Sequence, residues 1–233
     1  MKAGTPLLLV ALAANLHGAA AARSPVAGPP IPAGWNLEAT ATGDLTGDGV
    51  NDTAMVVRRI DPKRIMRNEG LGTPELDTNP RQLLVFEKTA SGFRQLAAAN
   101  TVVPPAGTAE SPCLEDPLVE GGLSIARQVL SVQLNYWLSC GGWGTSADIY
   151  KFKRMSGRFR LIGFDHTEFM RNSGQGEEVS VNLLTGRKGT ARYANDDSVP
   201  KRWRWSRIKP QRIFLDTFDI RACVPVDART SLC

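Results

Sequence analysis

Asp44, Asp48 and Asp52 fall within nine residues, in the stretch ATATGDLTGDGVNDTAMVV from Ala39 to Val57. All three ionise at neutral pH, and like charges this close repel unless a cation or solvent spreads them. The run D-L-T-G-D-G-V-N-D puts oxygen-bearing side chains at positions 1, 3, 5 and 9, with glycine at 6. Alternate side chains of so tight a turn converge on one point, the glycine permits the bend, and position 7 offers its carbonyl. The spacing predicts an EF-hand-like calcium loop with Asp44, Thr46, Asp48, the backbone of Val50, and Asp52 as ligands. Hard oxygen donors without sulfur or imidazole select calcium over a transition metal. Met55 replaces the bidentate glutamate of position 12, and TAMVV reads as a strand, so the loop is not part of a helix-loop-helix sensor. A modest affinity, on the order of 10⁻⁴ to 10⁻³ M, suits such an extracellular-type site.

Other reactive groups are sparse. His166 in GFDHTEF is the one histidine outside the first 22 residues, which removes multi-histidine zinc sites and reads as a surface residue beside Asp165 and Glu168. Carboxylate pairs of the kind a glycosidase uses could come from Glu110, Glu115 and Asp116, or from Glu177 and Glu178. No second feature supports either set, and no phosphate-binding glycine loop occurs, so the chain reads as a binding protein and not an enzyme. The most unusual composition is NYWLSCGGWGTSADIY, Asn135 to Tyr150, where aromatics flank a Ser-Cys-Gly-Gly turn. It reads as a strand, a cysteine-anchored loop and a second strand, with Trp143 either covering a hairpin or serving as an aromatic anchor for a partner.

The residues that would position these groups begin after an apparent leader. MKAGTPLLLVALAANLHGAAAARS has a basic Lys2, an apolar centre and an Ala-rich end, which predicts a signal peptide over 1–22. Asn15 and His17 break it well short of the roughly 18 to 20 apolar residues that span a bilayer, so no transmembrane anchor is expected. A Pro-rich linker over 23–34 and a single all-β domain over 35–233 follow. Export implies an oxidising compartment, so Cys113, Cys140, Cys223 and Cys233 read as disulfides. Of the three possible pairings we favour Cys113 with Cys140 and Cys223 with Cys233, the latter closing a short terminal loop. The whole chain carries a formal charge of +5 from 28 basic and 23 acidic residues, and losing Lys2 leaves about +4. Its densest basic run, KRWRWSRIKPQR from Lys201 to Arg212, alternates as a strand with one wet face does, and nucleic acid is not an expected partner.

Short β-rich runs bounded by turn residues recur from TAMVVRR to RIFLDTF, and none sustains helical periodicity over a dozen residues. LLVFEKTASGFRQL and DIYKFKRMSGRFRLI both turn at Ser-Gly and resume with Phe-Arg, which predicts hairpins; VNLLTGRKGTARY is a looser third. The fold class is all-β, with propeller-like or meandering antiparallel sheets of short hairpins.

The ordered set GDLTGDGVNDTAMVV, NEGLGTPELDTNPRQLLVF, SPCLEDP, YWLSCGGW and YKFKRMSGRFRLIGFDHTEF resembles exported bacterial β proteins with an FG-GAP-like calcium loop. That group includes immunity proteins against lysozyme-like peptidoglycan hydrolase effectors of type IV secretion, and is similar in fold to periplasmic lysozyme inhibitors. The resemblance implies a periplasmic, calcium-binding inhibitor that acts by inserting a loop into the hydrolase or occluding it. Such inhibitors use a Ser-Gly loop, for which Ser156 and Gly157, Ser173 and Gly174, or Ser91 and Gly92 are the candidates, with Trp143 beside them. The competing expectation is a cell-wall carbohydrate-binding module or an envelope structural protein.

Overall fold

The computed structural model describes residues 28–194 and 200–232, and among them the chain is all-β and antiparallel, with its sheets not closed into a barrel. The expected leader, part of the linker and Cys233 lie outside the described residues. Among those described, no helix is long and apolar enough to cross a membrane.

The first sheet has the order β1-β2-β5-β6, from β1 (Trp35–Gly43), β2 (Asp52–Arg59), β5 (Arg81–Thr89) and β6 (Gly92–Ala99). A small pair, β3 (Ile65–Arg67) with β4 (Glu75–Asp77), interrupts it between β2 and β5. The second sheet is a seven-stranded meander in chain order: β7 (Gly122–Ala126), β8 (Val129–Trp137), β9 (Gly144–Met155), β10 (Arg158–Met170), β11 (Gln175–Asn182), β12 (Arg187–Tyr193) and β13 (Arg204–Arg207). A terminal hairpin, β14 (Val224–Asp227) with β15 (Thr230–Leu232), follows.

Period-two patterning builds the sheets. In β8, Leu130, Val132 and Leu134 are buried while Ser131, Gln133 and Asn135 alternate with them. One buried cluster takes Val56, Leu83 and Val85 from the first sheet, Leu134, Phe152 and Leu161 from the second, and Phe218, Val226 and Leu232 from the C-terminal part. The sheets meet where β1 approaches β7: a Cβ on Gly43 would lie 2.6 Å from Ile125 Cγ2.

Both Ser-Gly hairpins form. Ser156 and Gly157 occupy the two-residue turn between Met155 and Arg158, both at positive φ (49° and 83°), the geometry that glycine favours. The expected strand RIFLDTF does not form; it makes a single bridge, Arg160 to Phe214. β11 starts pairing with β10 only at Gly163, so the start of β10 has a free edge, and residues 213–215 fill it through Leu161 N to Ile213 O (2.9 Å) and Leu215 N to Phe159 O (2.9 Å).

A bulge decides which residues of β10 face inward. Leu161 pairs with Phe152, Gly163 with Lys151, and the extra residue Ile162 reverses the alternation between them. Phe159 and Leu161 are buried before the bulge and Phe164 after it. His166 therefore follows Phe164 on the inward face and sits directly opposite Asp148, which continues the buried series Phe152, Tyr150 on β9.

Candidate functional site

The aspartate loop joins β1 to β2. Asp52 is fully buried; its Oδ2 accepts from Leu45 N (2.9 Å) and Thr46 N (3.1 Å), and its Oδ1 accepts from Lys88 N (3.1 Å). Three amide donors satisfy this carboxylate and clamp the loop to β5. Asp44 accepts from Gly47 N (2.6 Å) and Gly49 N (3.1 Å), and Asp48 from Val50 N (2.8 Å). Gly47 and Gly49, at φ 86° and 81°, supply the backbone that these turns need. The hydroxyl of Thr46 is buried without a hydrogen-bond partner among the described residues. The donors match calcium in type, all hard oxygens, and the orphaned Thr46 hydroxyl suits a ligand position. Among the described residues, however, no group of three His, Cys, Asp or Glu side chains gathers as a metal site.

Trp143 lies at the other end of the second sheet. Gly144 pairs with Met170 at that end of the β9–β10 hairpin, and Met155 with Arg158 at the far one. Strands of this length separate the two ends by roughly 35 Å. Ser173 and Gly174 belong to the Trp143 end: Gly174 N donates to Met170 O (2.8 Å), and Arg171 N donates to Trp143 O (2.9 Å). Ser156 and Gly157 belong to the far end, as does the aspartate loop, whose Gly47 lies against Gln128 in the β7–β8 turn. The candidate residues thus form two separate groups.

The Trp143 end is held together covalently and by packing. Cys113 and Cys140 form a disulfide, and the Ser139 amide (2.8 Å) and hydroxyl (3.0 Å) both donate to Cys113 O. The Arg171 guanidinium lies 3.6 Å over the Trp137 ring and also donates to Gly142 O. Tyr136 packs inward while Trp137, Leu138 and Trp143 remain exposed, joined at the neighbouring loop by exposed Leu71. A cleft of about 660 Å³ runs between residues 71–74 and Glu115, Ser139 and Cys140. Cys223 is exposed, its Sγ lies 4.0 Å from Ile220 O, and it has no disulfide partner among the described residues; its expected partner, Cys233, is outside them.

Four of the five carboxylates considered for acid–base work, all but Glu115, have side-chain partners among the described residues. Asp116 makes a two-pronged pair with Arg81 (2.7 and 2.6 Å), whose side chain is 2% exposed and also holds Glu38 (2.5 Å). Burial alone would raise the Asp116 pKa, but the Arg81 guanidinium and the Leu118 amide hold it below the ordinary value. Glu110 accepts from the Thr108 hydroxyl. Glu177 pairs with Arg192 (2.6 Å) and Glu178 with Lys201 (2.5 Å).

One arrangement escaped the sequence. His166 is half-buried, and its Nδ1 bonds Asp148 Oδ1 at 2.7 Å. That bond raises the His166 pKa, against the opposing effect of burial and with help from Glu168 and Glu177. Glu168 and Glu177 are direct cross-strand partners, and Arg192 opposite Glu177 offsets their repulsion. The signal was faint: Asp148 lies 18 residues from His166, and the bulge that aligns them leaves no mark in composition. Comparison with protein-family models, with curated proteins and with solved structures finds no match for this chain.

Proposed function

We propose that this chain is an exported binding protein that occludes a lysozyme-like peptidoglycan hydrolase in the periplasm, as immunity-type inhibitors do. One observation carries the reading: the exposed Trp137 at the end of β8, and Leu138 and Trp143 in the loop after it, are fixed by the Cys113–Cys140 disulfide and the Arg171 stack. Aromatic side chains held rigid before binding carry interface energy at low entropic cost. Ser173 and Gly174 adjoin this surface and are the Ser-Gly pair assigned to it; Ser156 and Gly157 stand at the far end. A partner for a chain near +4 needs an acidic face or cleft for favourable steering.

The aspartate loop is assigned a calcium ion, with Asp44, Thr46, Asp48 and the Val50 carbonyl as its ligands; Asp52, expected from the spacing as a further ligand, is assigned the buried clamp beneath, because backbone amides already occupy both its oxygens. The loop and its four-stranded sheet then correspond to one FG-GAP-like blade of a propeller-like fold. The second reading, a cell-wall carbohydrate-binding module, rests on the exposed Trp203 and Trp205 rings, stacked with centroids 5.7 Å apart.

The test uses residues 23–233 in a turbidity assay of peptidoglycan lysis by lysozyme-type enzymes, with calcium and with EDTA. Inhibition at near-stoichiometric protein, lost in Trp143→Ala and kept in Ser156→Ala, is the expected result. No inhibition, with the chain sedimenting on the wall by itself, overturns it in favour of the carbohydrate module.

A further inference from the structure

A second concave surface lies between the β12–β13 edge of the seven-stranded sheet and the terminal hairpin, and it is strongly basic. The cavity measures about 610 Å³, within the range of sites that enclose small organic ligands. Its charged lining is Lys188, Arg192, Arg202, Arg204 and Arg229 against Glu177 and Asp227, five basic groups to two acidic.

Both acidic groups are committed. Lys188 is 6% exposed, and its ammonium bonds Asp227 Oδ2 (2.7 Å) and the Thr230 hydroxyl, tying β12 to the hairpin. Glu177 is taken by Arg192 at 2.6 Å. Arg202, Arg204 and Arg229 remain, all exposed and without an acidic partner among the described residues. Thr190 and Ser206 add hydroxyls between them. Register fixes part of this convergence: Arg204 stands opposite Thr190 and Ser206 opposite Lys188, so these four share one face. Three uncompensated guanidinium groups around one concavity repel each other, and planar guanidinium forks match phosphate and carboxylate oxygens.

We infer that this cavity binds a compact organic polyanion bearing phosphate or carboxylate groups, gripped by Arg202, Arg204 and Arg229 over the ion pair that the buried Lys188 makes with Asp227. The inference is independent of the hydrolase reading. Its ligand is either a soluble polyanion or an anionic lipid headgroup, which share this chemistry.

Calorimetric titration of the chain from residue 23 with inorganic tripolyphosphate and with citrate, at low salt, tests it. The expected result is saturable one-site binding, weakened at least tenfold in Arg204→Ser/Arg229→Ser with an unchanged melting temperature. A control, Arg59→Ser/Arg127→Ser, removes the same charge elsewhere and leaves the affinity unchanged. Equal weakening in both pairs overturns the site, because attraction is then general. Absence of binding to either probe also overturns it. Flotation with phosphatidylglycerol vesicles that is lost in Arg204→Ser/Arg229→Ser assigns the headgroup; binding of free probes without flotation assigns the soluble ligand.

Discussion

His166 Nδ1 and Asp148 Oδ1 meet at 2.7 Å across β9 and β10, on the face that carries the core, where the strand bulge at Ile162 has brought them into register. The bond raises the His166 pKa, so its stabilisation is fully present below the unfolded value near 6.5 and is lost as pH rises through the higher folded value. Urea unfolding of the wild type and His166→Gln should differ by about 1 kcal/mol at pH 5.5, with the gap closing above neutrality. A gap that widens with pH overturns this assignment. NMR titration of His166 gives the folded pKa directly, expected above 6.5.

Arg81 joins three elements that are distant in sequence: Glu38 of β1, Asp116 of the disulfide segment, and its own strand β5. Arg81→Met leaves the partly buried Asp116 carboxylate without its guanidinium partner and Glu38 with Arg58 alone, and should cost about 3 kcal/mol in urea unfolding. Asp116 has a lowered pKa, so its contribution is present above the unfolded value and is lost as pH falls through the folded one. The wild-type advantage over Arg81→Met should therefore shrink in acid.

The Cys113–Cys140 disulfide closes a separation of 27 residues that contains Arg127, Gln128 and all of β7 and β8. Cys113→Ala/Cys140→Ala should lower stability by about 3 kcal/mol through restored freedom of the unfolded chain. Under the proposed function, it should also weaken hydrolase inhibition beyond what reduced stability explains, because Trp143 loses its anchor. Inhibition measured well below the melting temperature separates the two effects.

Arg127 and Gln128 form the β7–β8 turn with φ of 52° and 62°, a conformation unfavourable for both side chains. Arg127→Asn/Gln128→Gly supplies the residues that a two-residue hairpin of this hand prefers, and should raise stability by about 1 kcal/mol. Thermal unfolding monitored by circular dichroism checks this, and a lowered melting temperature would show that Gln128 supports the aspartate loop through its contact with Gly47.

For the aspartate loop, millimolar calcium should raise the melting temperature of EDTA-treated protein, and Asp48→Asn should reduce that increment. Asp52→Asn should destabilise the chain even in EDTA, since the buried carboxylate clamps Leu45, Thr46 and Lys88 without any metal.

Alternation and turn residues made the strands legible, because period-two burial is a local property: Leu130, Val132 and Leu134 announce β8 by themselves. The Ser156–Gly157 turn was equally local. What stayed hidden depended on a single extra residue or a distant edge. The bulge at Ile162 determines whether Asp165 or His166 turns inward, and no composition rule marks it. The segment around Phe214 has strand-like residues, yet it finds only a short free edge to fill. Lys188 meets Asp227 at a separation of 39 residues, so the basic cavity was visible in sequence only as the alternating run from Lys201 to Arg212.

The seven-stranded sheet has two ends with different fates. β7 lies against β1 of the other sheet, whereas β13, only four residues long and exposed throughout, has an outer edge that no strand among the described residues pairs. An open edge is a template for pairing with a second chain, and proteins blunt it with short strands and charged side chains. Arg204 and Arg207 do so here, and Pro210 follows close by. Replacing both arginines with valine would lengthen an apolar edge, and the consequence is self-association: the chain would be expected to form fibrils that bind thioflavin under conditions where the native sequence stays dispersed.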